Sequence, residues 1–220
     1  MRTCPWPDSW RERIRAPRDW SPRVPAGFSR VYVRLGDEPF SPRLWQRRLN
    51  EGRSFVTNGP LLDVTLDGKP FGDPLGARQL APGQPDALQL GGEIFSEYPL
   101  DRIEVLLAGE IVATVKPECR REERRYVYRL ANVVTTSSST WIAIRCFERL
   151  PNGRLRFAHS APVFANYSGS TLRPRRDQVH YLLQRCEAEI ERNLQTLSNA
   201  ELAEYREAAE FYRAQLATAR

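Results

Sequence analysis

A change in hydrophobic period near residue 172 is the feature that most limits the folds open to this chain. Between residues 53 and 167, apolar side chains recur at every second position in short runs separated by Gly, Pro, Asn and Asp, which is the pattern of half-buried strands. Beyond residue 172 they recur every three to four positions, as in amphipathic helices. The sequence therefore predicts a strand-rich region followed by a helical one.

The strand-rich region predicts a sandwich of two sheets. Strand-like runs cover 54–58, 62–66, 87–95, 102–107, 111–115, 126–134, 140–147 and 156–165. The clearest pairing is RIEVLLAGEIVATV at 102–115, where Ala108 and Gly109 form a tight connection between two alternating runs. Many short strands with turn residues between them favour an Ig-like antiparallel β-sandwich. Its expected buried residues include Ile103, Val105, Ile111, Val115, Ile142 and Ile144.

The last 50 residues predict an αα-hairpin. One apolar stripe comprises Val179, Leu182, Leu183, Cys186, Ile190 and Leu194, and a second comprises Leu202, Tyr205, Ala209, Tyr212 and Leu216. Ser198 followed by Glu201 has the spacing of a capping box, which marks the start of the second helix. The predicted fold class is therefore mainly β with α, a β-sandwich followed by a C-terminal helical hairpin.

The chain is divided into four predicted segments. Residues 1–27 hold five prolines and no apolar period, which predicts an irregular or disordered leader. Residues 28–52 predict a strand and a short helix, with Ser41 as its cap, Pro42 at its first position and Gly52 at its end. Residues 53–170 form the sandwich and 171–220 the hairpin.

Composition limits the compartment and the partners. The 220-residue chain holds no run of about 20 apolar residues that could span a membrane and no secretory signal at its start, so a cytoplasmic location is expected. The net charge is +6, and the first 60 residues hold 12 arginines against six acids. The basic run at 120–125 is interrupted by glutamates, so nucleic acid is a disfavoured partner.

Residues that carry catalytic chemistry are sparse. Four cysteines lie far apart without a CxxC pair, which argues against a disulfide framework and against a zinc cluster. A divalent-metal hydrolase needs several His and carboxylate ligands, yet the chain has only His159 and His180. We therefore predict no catalytic residue, no metal ligand and no cofactor in this chain. His159 is expected to be a hydrogen-bonded structural residue and His180 to lie on a helix surface.

Several strings carry a family resemblance. They are FSRVYVRL, WQRRLNEGRSFVTNGPLLDVTLDGKPFGD, PLDRIEVLLAGEIVATV, TWIAIRC, RFAHSAPVF and LRPRRDQVHYLLQRCEAEIERN, which together extend over about residues 25–215. The long string GRSFVTNGPLL is unusual and makes the match specific. The chain resembles the region that follows the catalytic barrel in CehA/McbA metallohydrolases, which are related to the PHP phosphoesterases.

The resemblance implies that catalysis belongs to a region of the family that is not matched here. The family's divalent metals are held by His, Asp and Glu of an N-terminal barrel whose motifs lie upstream of the matched region and have no counterpart here. The expected role is therefore that of a truncated or split accessory portion, structural or substrate-gating and inactive alone. Its expected partner is a separately encoded barrel, or a second copy bound through the N-terminal third, where 28–52 would be the remnant of the barrel junction. Arg53, Asn58, Gly59, Pro60 and His159 are family motif positions without a catalytic role.

Two other functions stay open. The chain also fits a free-standing β-sandwich module that binds carbohydrate or protein, with Trp45, Tyr98, Tyr126 and Trp141 as an aromatic platform. The Arg-rich first third leaves a nucleic-acid-binding protein as the third alternative. For the motif itself, Asn58, Gly59 and Pro60 predict a demanding turn in which Gly59 takes a positive φ and Pro60 leads into the next strand.

Overall fold

The computed structural model describes the backbone of residues 10–14 and the residues 27–73, 75, 85–116, 118–168 and 172–219. The chain forms two compact units, Met1–Ser170 and Thr171–Arg220. The described elements of the first unit are β1 (Trp10–Ile14), β2 (Arg30–Arg34), α1 (Pro42–Asn50), β3 (Ser54–Thr57), β4 (Leu61–Leu66), β5 (Lys69–Pro70), β6 (Asp86–Ser96), β7 (Leu100–Leu107), β8 (Glu110–Val115), β9 (Cys119–Glu122), β10 (Arg125–Arg129), β11 (Asn132–Thr136), β12 (Thr140–Arg149), β13 (Leu155–Ser160) and β14 (Val163–Ala165). The second unit contains α2 (Arg176–Asn193) and α3 (Asn199–Leu216).

The described strands form two antiparallel sheets. Sheet A has eight strands in the order β1-β2-β3-β13-β12-β7-β8, with β14 also paired to β12, and sheet B has six in the order β5-β4-β6-β10-β9, with β11 paired to β6. Ile103 and Ile144 of sheet A share one buried cluster with Leu62, Leu88 and Ile94 of sheet B. A core built from the inner faces of two sheets defines an antiparallel β-sandwich, which confirms the predicted fold class.

The β7–β8 hairpin forms as predicted, but the edge strand is less buried than its pattern indicates. Ile103 pairs with Val115 and Val105 with Ala113, and the connection has Ala108 at φ 50°. The register shifts between Val105 and Leu106, so the alternation does not continue to the start of β8. Ile111 is 49% exposed and Val115 is half-buried, which corrects the prediction that both lie in the core.

The N-terminal elements join sheet A directly. β2 pairs with β3 along Val31–Val56 and Tyr32–Phe55, although the sequence predicts the two strands in separate segments. β1 is a strand within the stretch predicted to be irregular, and most of residues 1–27 lies outside the described part of the chain. The Ser41 side chain caps α1 by accepting from Leu44 N at 3.1 Å, as predicted.

A small second core lies beside β2. It consists of Val33, Leu35, Leu44 and Trp45, and all four side chains are buried. Residues on one face of α1 therefore cover the outer face of β2. On the inner face of the sheet, Tyr32 of β2 stacks on Phe55 of β3 with ring centroids 5.1 Å apart. The apolar residues of this region are thus mostly enclosed within the first unit.

The second unit is the predicted helical hairpin. The capping box is present, because Ser198 Oγ accepts from Glu201 N and the Glu201 carboxylate accepts from Ser198 N. Val179, Leu183, Leu202 and Ala209 are buried, whereas Leu182 and Leu194 of the predicted stripe are exposed. Among the described helices, none is long and apolar enough to cross a membrane.

Candidate functional site

The turn that follows β3 is anchored to β13 by its side chains. The Asn58 side-chain oxygen accepts from Phe157 N at 2.6 Å, and Asn58 N donates to Phe157 O at 3.0 Å. Thr57 Oγ1 accepts from Gly59 N at 2.9 Å and lies 2.5 Å from Pro60 O, to which it donates. These bonds make the turn a rigid connection from sheet A to β4 of sheet B.

Gly59 is required by close packing. A Cβ atom at this position would lie 2.7 Å from Arg156 Nε and 2.8 Å from Glu148 Oε2. Its φ is not positive, which corrects the prediction made from the Asn-Gly-Pro composition. The small side chain lets the turn lie directly against the ion pair that Arg156 forms with Glu148.

Glu148 is the buried anchor of this site. Its side chain has no exposed surface, and its two oxygens accept from Tyr98 N at 2.7 Å and from Arg156 Nε at 2.5 Å. Arg156 also donates to the exposed Glu97 at 3.1 Å, and its guanidinium lies 5.5 Å from the centroid of the Tyr98 ring. A fully enclosed carboxylate thus holds one arginine in a set position.

A cleft of about 1130 Å³ opens beside this anchor, between the ends of the two sheets. Sheet A and its turn contribute Arg30, Tyr32, Asn58 and Gly59, and sheet B contributes Phe95, Ser96 and the β9–β10 hairpin, residues 122–125. Phe28 and Arg156 also line it. The lining combines four arginines, three glutamates and three aromatic rings, which suits a ligand with both a charged and an apolar part.

Arg53 lies at the opposite end of β3 from Asn58. The two positions are five steps apart along extended chain, a distance of about 16 Å. Arg53 Nε lies 3.0 Å from a carboxylate oxygen of Glu51 and 3.1 Å from one of Asp73. A Cβ on Gly72 would come within 2.6 Å of Arg53 Cα, so the backbones touch there. The motif therefore marks two separate places, and Arg53 belongs to a packed junction.

His159 lies on β13 in the middle of sheet A, between β3 and β12. It pairs with Val56 of β3 on one side and with Arg145 of β12 on the other. The half-buried ring has Nδ1 2.7 Å from Ser160 O. The sequence predicts such a hydrogen-bonded environment for His159. The ring lies on the face of sheet A that points away from the sandwich core.

A second buried carboxylate lies on that face, separated from His159 by Arg145 of β12. Glu104 of β7 is 4% exposed and accepts hydrogen bonds from Arg102 at 2.6 Å and from Arg145. Burial works to raise the pKa of Glu104, but the bonds from Arg102 and Arg145 outweigh it and hold the pKa below its usual value of 4.5. Glu104 is therefore ionised throughout the neutral range and stabilises the fold there.

We expect the hydrogen bonds from Arg102 and Arg145 to Glu104 to make the free energy of unfolding depend on pH in the acid range. Because the folded pKa is depressed, the contribution of Glu104 is complete above pH 4.5 and is lost as the pH falls through the folded value. Glu104→Gln should lower the free energy of unfolding by about 1–3 kcal/mol at pH 7, and the difference from wild type should shrink below pH 4.5. Urea titrations at pH 7 and pH 3.5 measure it. The exposed Glu123→Gln is the control, and an equal loss in both variants would contradict the assignment.

The aromatic platform suggested by the sequence does not form. Trp45 is 7% exposed and belongs to the small core under α1, whereas Tyr126 lies on β10 of sheet B. Trp141 lies on β12 of sheet A, and Tyr98 packs against Arg156. The four rings are therefore spread over different elements.

Glu148 and Arg156, the two key side chains beside the cleft, were not predicted from the sequence. One signal was present for Glu148, because the alternation Ile142, Ile144, Cys146 places it next on the inward face of β12. Arg156 carries no comparable signal, since one arginine among many is unremarkable.

The described residues do not fit a divalent-metal site. Among them, no group of three or more His, Cys, Asp or Glu side chains is placed to hold a metal ion.

No family model matches the chain, no curated protein is significantly similar to it, and no solved structure resembles it significantly.

Proposed function

We propose that this chain is the non-catalytic accessory region of a CehA/McbA-type metal-dependent hydrolase. The observation that carries the proposal is the meeting of two strings of the resemblance, GRSFVTNGPLL and RFAHSAPVF, which are about a hundred residues apart in the sequence. They form the neighbouring antiparallel strands β3 and β13, with Thr57 opposite Ala158 and Phe55 opposite Ser160. Motifs that meet in one structural unit are expected of a shared structural role.

Hydrogen bonds hold this strand pair together at both ends. Asn58 bonds Phe157 at one end, and Ala161 N donates to Ser54 O at 2.8 Å at the other. Between them, Val56 is 41% exposed although it lies in the middle of a strand. An exposed valine flanked by a half-buried His159 gives this strand pair an apolar contact point.

In this proposal the strand pair contacts the metal-binding barrel, whether the barrel belongs to the same polypeptide or to another. The barrel would supply the metal-activated water for hydrolysis of ester-type bonds. The sandwich would contribute structural support or substrate gating. No residue of this chain is assigned a catalytic role.

The interaction is tested with the separately produced barrel region of a CehA/McbA hydrolase and with Val56→Arg. We expect saturable binding to the wild-type chain by calorimetry and at least about tenfold weaker binding to Val56→Arg, because a buried arginine without a partner costs more than about 1.4 kcal/mol. Val133→Arg is the matched control, since Val133 is a 49% exposed strand valine of sheet B. No binding, or equal weakening by both substitutions, would refute the proposal.

Two further measurements complete the test. Sedimentation of the chain alone shows whether the same surface instead binds a second copy of the chain. In that case Val56→Arg would convert a dimer to a monomer, and the barrel would not be the partner of this surface. Hydrolysis of 4-nitrophenyl acetate and bis(4-nitrophenyl) phosphate by the isolated chain with Mn²⁺ or Zn²⁺ is expected to stay at the buffer rate. Turnover that follows the purified chain would contradict a non-catalytic role.

A second candidate function is that of a free-standing binding module. The observation that favours it is the cleft beside Gly59, which has room for a ligand and is lined by both sheets. A binding assay on the isolated chain tests this second function, because a free-standing module binds its ligand without any barrel.

A further inference from the structure

Burial of the Glu148 carboxylate in the sandwich costs free energy of folding. A carboxylate with no exposed surface is desolvated, and an apolar side chain of similar size at such a position is often neutral or stabilising. Both of its oxygens are used to hold neighbours, one for Tyr98 N and the other for Arg156 Nε. Its clearest consequence is therefore the placement of Arg156 at the wall of the cleft.

Arg156 keeps donor capacity for a ligand. Its Nε donates to Glu148 and its Nη2 to Glu97, whereas no described residue accepts from its Nη1. Its side chain is 24% exposed, so solvent or a ligand reaches it. A guanidinium held by two carboxylates and by the Tyr98 ring is positioned before a ligand arrives, which lowers the entropic cost of binding.

Arg124 supplies a second cation from sheet B. It lies at the tip of the β9–β10 hairpin, is exposed, and makes no ion pair with any described residue. Its neighbour Arg125 is bound to Glu122 at 2.7 Å and lies over the Phe95 ring at 5.1 Å. The cleft is therefore lined by guanidinium groups from both sheets, and guanidinium groups bind oxyanions through charge-assisted hydrogen bonds.

Apolar surface accompanies these cations. Phe28 is 40% exposed at the cleft, and Phe95 forms part of the lining on the other side. Three glutamates partly offset the four arginines, so charge alone attracts a bare anion only weakly. The aromatic walls must then contribute to affinity, which favours an anion attached to a ring.

We propose that this cleft binds small molecules that carry a phosphate or carboxylate group on an aromatic body, with Arg156 and Arg124 holding the oxyanion and Phe28 lying against the ring. The cleft, at about 1130 Å³, has ample room for such a ligand. The binding needs no barrel, so its outcome is independent of the accessory role proposed above.

Calorimetry on the full chain tests the proposal with four probes. Phenyl phosphate and benzoate carry both the oxyanion and the ring, inorganic phosphate carries the charge alone, and benzyl alcohol carries the ring alone. We expect saturable binding of phenyl phosphate, benzoate or both, with each of the other two at least about tenfold weaker, a difference of about 1.4 kcal/mol. The comparison of phenyl phosphate with benzoate identifies which oxyanion is preferred.

Variants locate the site. Arg124→Ala, at an exposed hairpin tip, should weaken binding about tenfold or more without affecting folding, and Arg156→Lys should weaken it similarly because a lysine lacks the planar fork. Arg129→Ala is the control, since Arg129 is exposed on the neighbouring β10 and does not line the cleft. Binding that is unchanged in Arg124→Ala, equal for benzyl alcohol, or absent for both aryl anions overturns the proposal.

Discussion

Replacing Glu148 by alanine is expected to lower the free energy of unfolding by about 3–5 kcal/mol, the usual cost of breaking a buried ion pair from one side. The substitution removes the acceptor of Tyr98 N and of Arg156 Nε and leaves a space in the core. Urea denaturation of the full chain measures the loss. Glu97→Ala is the matched control, because Glu97 is bound to the same arginine but its side chain is 63% exposed.

The control is expected to lose at most about 1 kcal/mol, as exposed ion pairs do. A double variant, Glu148→Leu with Arg156→Leu, should recover part of the loss, because it removes the unpaired charge together with its partner. If Glu148→Ala and Glu97→Ala were equally mild, Glu148 would not be the anchor of the turn and the cleft.

Replacing Gly92 by alanine is expected to destabilise the sandwich by about 3 kcal/mol or more, through strain in the backbone together with a steric clash. Gly92 lies in the middle of β6 with φ 106°, and its Cβ would lie 2.8 Å from Val64 Cα and still closer to Asp63 O of the adjacent strand. Thermal unfolding followed by circular dichroism measures the effect.

Gly68→Ala separates the two causes. Gly68 also has a positive φ, 74°, but no atom outside its immediate chain neighbours lies within 4 Å of the place that a Cβ would occupy. Only backbone strain applies there, so a loss of about 1–2 kcal/mol is expected. Equal losses at the two positions would mean that the approach of β4 to β6 is not tight.

The two consecutive glycines of β6, Gly91 and Gly92, do not interrupt its pairing with β4. The register between β4 and β6 is continuous through both glycines, with Thr65 opposite Gly91 and Val64 opposite Gly92. What changes there is the partner on the other side of β6, from β11 to β10, and Leu130 N donates to Gly92 O at that point. A glycine allows the long strand to bend between two partners.

Local chemistry could be predicted from the sequence where neighbouring residues decide it. The Ser41 cap, the Ser198–Glu201 capping box and the turn at Ala108 and Gly109 each depend on residues within a few positions of one another. The alternation of apolar residues likewise predicted most strands of the two sheets. These features need no knowledge of distant contacts.

Strand boundaries could not be predicted from the sequence where an apolar run continues through a break between two strands. The predicted strand 126–134 is two strands, β10 and β11, and 156–165 is also two, β13 and β14. β9, with the sequence CRRE, was missed because an exposed edge strand needs no apolar alternation. In each case the pairing partner decides where the strand ends or whether it forms.

The sequence by itself determined the fold class and the position of the Asn-Gly-Pro turn, because periodicity and turn chemistry are local properties of the chain. Only the tertiary structure brought Glu148, Arg156 and Tyr98 to that turn and placed Arg124 across the cleft from them. It also buried Trp45, which looked like a ligand platform, and exposed Ile111, which looked like core. Burial and ion pairing depend on which strands become neighbours, and strand order is decided by packing between residues far apart in sequence.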